Sequence, residues 1–333
     1  MTMKEFDKET LLIDKIVALF NNEDNFIITS HYNIDGDGLG SEIAIYLLLK
    51  KLGKTVEIVN QDKAPEIYNF LPYINDIKNS PSKSLAEPNV SIVLDCGTLE
   101  RAGEIASFVK KTSTIINIDH HFLNTCFGTI NFVDAGYSST GEMVLKVLER
   151  YDQLSKEQAI CLYTSIITDT GSFIYNVGKN TLNAVQKLLD TGISPAEISG
   201  KIYMQKPLKY IELLTLSLQT LDYNLKEKIA WMYVDKKMYE ATKTTAENTE
   251  GFVEMLLALK EFKTVFLLKE DKNIKVSLRS KDGYDVETVA RKFGGGGHKQ
   301  AAGCELENLS ISESIKKIVA EIKKNNERNN SGK

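Results

Sequence analysis

His31-Tyr-Asn-Ile-Asp35-Gly-Asp37 is the stretch on which the reading of this 333-residue chain turns. The apolar run before it, Phe26-Ile27-Ile28, reads as a short buried strand. Ser41 to Lys51 after it reads as a helix with Ile43, Tyr46, Leu47 and Leu49 on its apolar side. One imidazole and two carboxylates therefore stand where a strand ends and a helix begins. Nitrogen and oxygen donors without a thiolate suit a hard, multivalent cation. Gly36, Gly38 and Gly40 are interleaved with the acids and are expected to turn the backbone sharply and admit a ligand. The plainer reading of the same residues is a polar turn with Asp37 as a helix N-cap. The histidines favour ligation: there are only 4, His31, His120, His121 and His298, each in an acid-rich or glycine-rich segment ending an apolar run.

Working outward, two more strands carry the same signature. Val90-Ser-Ile-Val-Leu94 is followed directly by Asp95-Cys96-Gly97, and Thr114-Ile-Ile-Asn-Ile118 by Asp119-His120-His121. Thr55 to Val59 reads as another strand, and Asn60 to Ser84 as a loop-rich stretch. Strands alternating with helices predict an α/β fold with a doubly wound parallel sheet. Such sheets bind ligands at the carboxyl ends of their strands, so all three motifs should meet in one crevice. Thr10 to Phe20 reads as an amphipathic helix. Ser139-Thr-Gly-Glu142 and Ser155-Lys-Glu-Gln158 read as capping boxes opening helices to Arg150 and Ile167. Asp169 then stands in Thr168-Asp169-Thr170-Gly171, as a turn residue or a further ligand.

Helices are expected over 180–190, 195–203 and 208–221, the last two in a helical connection that separates a 1–191 domain from a smaller α/β domain over 228–325. The connection itself is placed at 192–227, and 326–333 is expected as a frayed polar tail. The second domain should have strands at 229–234, 265–268 and 274–278 and helices at 251–259 and 286–293. Gly294-Gly-Gly-Gly297-His298-Lys299 is expected as a loop whose amides face an anion.

Composition narrows the function. Hydrophobic residues make up 42% and charged residues 26%, which fits a globular chain of two or three domains. No apolar run approaches the roughly 20 residues that span a bilayer, and no secretory signal is evident. The 4 cysteines, Cys96, Cys126, Cys161 and Cys304, form no CxxC pair and are expected reduced and buried, as in a cytoplasmic protein. A net charge of -4 argues against a broad face for duplex nucleic acid, but not against a small anionic substrate met by metals.

Taken together, His31…Asp35-Gly-Asp37, Leu94-Asp95-Cys-Gly, Asp119-His120-His121, Thr168-Asp169-Thr-Gly-Ser172-Phe173, Ser277-Leu-Arg279-Ser280 and Gly294–His298 resemble the DHH phosphoesterase family. The likeness spans roughly residues 10 to 325 and is strongest to bacterial members with a C-terminal DHH-associated domain. The resemblance implies an enzyme that acts as an oligoribonuclease, a pAp phosphatase, or a phosphodiesterase of cyclic di-AMP and pApA. It implies two Mn²⁺ ions, with Mg²⁺ or Co²⁺ as substitutes, in the cleft between the domains. His31 and Asp35 would hold one ion and Asp37 and His120 the other, with Asp95 and Asp169 shared. His121 would be an acid near the site or a contact to the leaving oxygen, and Asp119 would orient an imidazole. Arg279, Ser280, Gly295, Gly296, Gly297 and His298 would bind a short oligoribonucleotide or a linear or cyclic dinucleotide. Related proteins are often dimers, so the resemblance admits a homodimer without requiring one. Ile34 and Ile174 depart from the family, which often has Pro and Arg there; the second departure bears on substrate identity. The alternatives are an inorganic pyrophosphatase and a catalytically silent nucleotide-binding module.

Overall fold

The computed structural model describes residues 3–82, 88–151, 153–281 and 284–331. The chain divides into two compact units, Met1–Gln205 and Lys206–Lys333.

The first unit runs through α1 (Met3–Asn22), β1 (Asn25–Thr29), α2 (Gly36–Lys51), β2 (Thr55–Ile58), β3 (Val90–Leu94), α3 (Ala106–Val109), β4 (Thr114–Asp119) and β5 (Ile130–Val133). Four helices follow: α4 (Thr140–Leu148), α5 (Lys156–Asp169), α6 (Lys179–Leu189) and α7 (Pro195–Tyr203). The five strands are all parallel, in the order β2-β1-β3-β4-β5. This is the doubly wound sheet that the alternating pattern predicts. Its strand order reverses direction between β1 and β3, the place where such sheets open a ligand crevice.

The continuous apolar strands follow from burial on both faces. Phe26 and Ile28 join the core shared with α1, α2, α4 and α5, whereas Ile27 packs with Leu99, Ala102, Ile105 and Val109 on the opposite face. Strand β5 was not expected; Asn131 breaks its short apolar run. The stretch from Asn60 contains two short 3-10 turns, Glu66–Tyr68 and Ile74–Asp76, and its end at 83–87 lies outside the described residues. Of the free cysteines, Cys126 is exposed and the other three are buried, which corrects the expectation for that one.

Helix α2 departs from its expected start. It begins at Gly36 rather than Ser41, with Asp35 as N-cap accepting from the Asp37 and Gly38 amides. The interleaved glycines therefore do not turn the chain. They lie in the helix and let it press against its neighbours. A Cβ on Gly40 would stand 2.3 Å from the Cys161 carbonyl oxygen, one on Gly36 2.5 Å from Thr168 Oγ1, and one on Gly38 2.7 Å from Ser30 Oγ. So α2 and α5 meet at nearly backbone distance, and the acids at their ends are brought together.

The second unit contains α8 (Leu208–Leu218), β6 (Asp222–Asn224), β7 (Ile229–Val234), α9 (Lys236–Thr242), α10 (Phe252–Leu257), β8 (Thr264–Glu270) and β9 (Ile274–Ser280). It closes with α11 (Glu287–Arg291), β10 (Gly296–His298), β11 (Ala301–Leu306) and α12 (Ile311–Ser331). Its six-stranded sheet has the order β10-β11-β9-β8-β7-β6, and only β7 and β8 pair in parallel. One face buries Phe266, Leu268, Val276 and Leu278 under Val289, Ala290, Ile318 and Ile322. Two expectations are corrected here. The glycine run is not a plain loop, because Gly296–His298 pairs antiparallel with β11. A Cβ at Gly295 would stand 2.0 Å from the Gly303 oxygen, so the closely paired hairpin depends on that glycine. The expected polar tail from Asn326 continues α12 to Ser331, and 332–333 lie outside the described residues.

Candidate metal centre

The site begins with strand ends. β1 delivers His31, β3 delivers Asp95, and β4 ends at Asp119 and hands on His120 and His121. The N-terminus of α2 adds Asp35 and Asp37, and the last residue of α5 is Asp169. Ligand-type atoms of His31, Asp35 and Asp95 lie within 4.8 Å of one another, as do those of Asp37, His120 and Asp169. The two groups meet at Asp95, with His31 Nε2 3.4 Å from its Oδ2 and His120 Nε2 3.7 Å from its Oδ1. All six residues expected as ligands are thus brought together.

Backbone groups of other residues aim His31, His120 and Asp37. His31 Nδ1 lies 2.8 Å from the Tyr32 carbonyl and His120 Nδ1 3.3 Å from the Tyr137 carbonyl. Each Nδ1 therefore carries the proton, and Nε2 is the nitrogen turned to the acids. Asp37 is seated on the N-terminus of α4: Thr140 N donates to Oδ2 at 2.8 Å and Gly141 N to Oδ1 at 3.0 Å. Ser165 Oγ and Ser41 Oγ also donate to Oδ1, at 2.5 and 3.3 Å. Oδ1 is thereby saturated and Oδ2 faces His120 at 3.5 Å. A Cβ on Gly141 would meet Ser165 Oγ at 2.0 Å, so the glycine lets that hydroxyl reach Asp37. Asp95 sits at φ 52 and receives the Thr140 hydroxyl at 3.1 Å. A non-glycine residue in the left-handed region costs of order 1 kcal/mol or more and is held there by its surroundings.

The charges agree with a cation site. Burial and then Asp95 push the Asp37 carboxyl well above the usual range. Burial raises Asp169 to about 6 against the pull of His120, with Asp95 adding to the rise. Asp95 is held low: burial acts upward, but the His31 hydrogen bond and the charges of His121 and His31 outweigh it. Burial resists protonation of His31 and His120, yet the neighbouring aspartates raise both to about 9. Crowded carboxylates that hold protons where they repel one another suit an incoming cation. The donor set, four carboxylates and two imidazoles, fits hard or borderline divalent metal.

His121 and Asp119 form a second pair. His121 Nδ1 lies 2.7 Å from Asp119 Oδ1, and Asn124 Nδ2 donates to Asp119 Oδ2 at 2.6 Å. Burial opposes the ionised form of Asp119, but the His121 hydrogen bond and charge hold its pKa below normal. Ser165, Thr140, Gly141, Tyr137 and Asn124 were missed by sequence reasoning. The only signal was the Ser139 cap of α4, read as a helix start and not as an anion seat; Ser139 Oγ does accept from Glu142 N, whereas Glu142 turns to Ser138. The Ser155–Gln158 box closes in both directions, as expected.

In the second unit, pairing places Arg279 opposite Ala301 and Ala301 opposite His298, so Arg279 and His298 stand in one row across β9, β11 and β10. Arg279 Nε donates to Glu254 at 2.9 Å and Nη1 to the Leu278 carbonyl at 3.0 Å. Ser280 is fully buried and donates to the Tyr284 carbonyl at 2.7 Å, so it braces the strand end rather than offering its hydroxyl to a ligand.

Comparison with known proteins gives the lineage. A bifunctional oligoribonuclease and PAP phosphatase, NrnA, from Thermus thermophilus is 28% identical over 96% of this chain and 94% of its own length. NrnA from Bacillus subtilis is 26% identical over 90% of this chain and 95% of its own length. A cyclic-di-AMP phosphodiesterase, PdeA, from Listeria monocytogenes is 22% identical over 91% of this chain, which spans 48% of PdeA. A crystal structure of an exopolyphosphatase-related protein from Bacteroides fragilis superposes with a TM-score of 0.88 at 28% identity, covering 95% of this chain and 96% of that one. Residues 25–166 match the DHH family N-terminal domain and residues 228–327 the DHHA1 domain, so the chain belongs to the DHH family of hydrolases, with a DHHA1 domain after its DHH domain.

Proposed function

We propose that this protein is a metal-dependent phosphodiesterase that cuts very short nucleotides, nano-RNA and pApA, to mononucleotides and removes a phosphate from pAp, with cyclic di-AMP a further substrate. The observation that carries this reading is the sharing of Asp95 between the His31–Asp35 and Asp37–His120–Asp169 groups, which suits two adjacent cations. The names of the NrnA and PdeA relatives support oligoribonucleotide, PAP and cyclic di-AMP as substrates.

His31, Asp35, Asp37, Asp95, His120 and Asp169 would hold the ions, proposed as two Mn²⁺ because imidazole donors favour transition metals over Mg²⁺. When bound, such cations generate hydroxide near neutral pH and neutralise the phosphate. Asp119 engages His121 Nδ1, so proton delivery to the leaving oxygen falls to Nε2. Arg279 and the Gly295-Gly296-Gly297-His298 hairpin are proposed to bind substrate phosphate. With Nε and Nη1 already engaged, Arg279 would present its remaining donors in a fixed direction.

A single panel tests the proposal: Mn²⁺ with pApA, pAp, 2- to 5-nucleotide RNA, cyclic di-AMP and pyrophosphate, products separated by chromatography. Mononucleotide release from pApA and short RNA is expected. Hydrolysis of pyrophosphate alone, or undiminished turnover in excess chelator, would overturn it.

A further inference from the structure

Arg101 is set apart from the acids around the metal centre. It lies on the 3-10 turn Leu99–Ile105 that follows β3. Its carbonyl accepts from the Tyr32 amide at 2.7 Å, which ties this turn to the residue after His31. Its guanidinium lies over the Tyr32 ring, 5.8 Å from the centroid. Among the described residues it makes no ion pair, although His31, next to Tyr32, is flanked by Asp35 and Asp95.

The surroundings hold this arrangement. Gln61 Oε1 accepts from Glu104 N at 2.9 Å. Gly103 takes φ 63, and a Cβ there would overlap Gln61. On the other side, Asn33 N donates to Asp62 Oδ2 at 2.5 Å. Both segments carrying the Arg101–Tyr32 pair are thus pinned to the loop after β2. Arg101 is half-buried and Tyr32 is 39% exposed, so the pair reaches solvent beside the His31 end of the site. A guanidinium oriented on an aromatic face and not neutralised by a carboxylate keeps its fork for an incoming oxyanion. Pre-ordering lowers the entropy lost on binding.

We propose that Arg101, held over the Tyr32 ring, binds a phosphate of the nucleotide substrate other than the one being hydrolysed. This rests on the phosphoesterase reading, in which the cluster sharing Asp95 takes the reacting phosphate. Arg101 belongs to neither ligand group, so its charge serves a neighbouring phosphate. Ligands such as pAp carry that second group, whereas AMP does not.

The test is calorimetric binding of pAp and AMP to the full chain in Ca²⁺, with chromatography confirming that pAp stays intact and emission spectrometry giving metal content. The wild type should bind pAp more tightly than AMP. Arg101→Ala should weaken pAp about tenfold or more and AMP less than twofold, with metal content unchanged. Arg101→Lys should recover part of the difference, since it keeps the charge and loses the fork. Equal loss for both ligands, no loss, lost metal, or no preference for pAp in the wild type would each overturn the assignment. Should the wild type prefer pAp through Arg101 and yet hydrolyse nothing with Mn²⁺, the phosphoesterase reading falls and the Arg101 site stands.

Discussion

Glu42 is a fully buried acid on α2, five residues beyond Asp37. Its Oε2 accepts from Asn60 Nδ2 at 2.8 Å, and Asn60 Oδ1 in turn accepts from the Ser30 amide at 3.2 Å, just before His31. Burial outweighs the Asn60 hydrogen bond and raises its pKa to about 8. The folded chain therefore keeps a proton that the unfolded chain releases near the ordinary carboxylate value, and this contribution to stability is lost as pH rises towards 8. Relative to the wild type, Glu42→Gln should gain stability on the order of 1 kcal/mol per pH unit between about 5 and 8. Denaturant melts at several pH values would check it; parallel profiles would show that Glu42 is charged in the fold. Asp119 and Asp95 make a second contrast. Asp119→Asn should lower turnover about 10- to 100-fold while metal content stays normal, because it removes only the orientation of His121. Asp95→Ala should lose metal as well, since both ligand groups use it. Emission spectrometry and kinetics on pApA separate the two, and metal loss from Asp119→Asn would move it into the ligand set.

At the scale of elements, the decisive contact is between α2 and α5. In an exposed helix, alanine is favoured over glycine by roughly 1 kcal/mol. At Gly40 the sign reverses, because the added Cβ would lie 2.3 Å from the Cys161 carbonyl oxygen, which is backbone and cannot rotate away. Gly40→Ala is expected to destabilise the chain by about 1–3 kcal/mol and to weaken metal binding, as it forces apart the helices bearing Asp37 and Asp169. Thermal melts with metal titration test this; a stabilised variant would mean the helices are less closely packed than described. The glycine pattern was legible in the sequence, but as a sharp turn, since periodicity does not say which helix lies opposite. In the hairpin of β10 and β11 the same residue type admits a strand pair that the run of glycines had hidden.

For the whole molecule, the two units carry separate cores, and the expected metal ligands all belong to the first. The single tryptophan, Trp231, lies in β7 of the second and stacks on Phe266 at 5.6 Å. Ligand binding stabilises only the folded state that binds it. Chelation should therefore lower the calorimetric transition of the first unit while leaving the tryptophan fluorescence transition nearly unchanged. Equal shifts in both signals would show that the units unfold together.

The sequence by itself determined four of the five strands of the parallel sheet and which polar residues stand at their carboxyl ends. Apolar runs buried on both faces give parallel strands, and the polar residues that follow them, His31, Asp95 and His120 among them, can only emerge at the carboxyl ends. It could not give the contacts that tune those residues. That Asp37 sits on the amides of Thr140 and Gly141, that Ser165 reaches it past a glycine, and that Arg101 lies on Tyr32 are pairings across long sequence separations. Local pattern fixes which way a side chain points from its own element. What it meets there is set only when the helices pack, and in this chain the missing Cβ atoms of Gly36, Gly40 and Gly141 decide how closely they do.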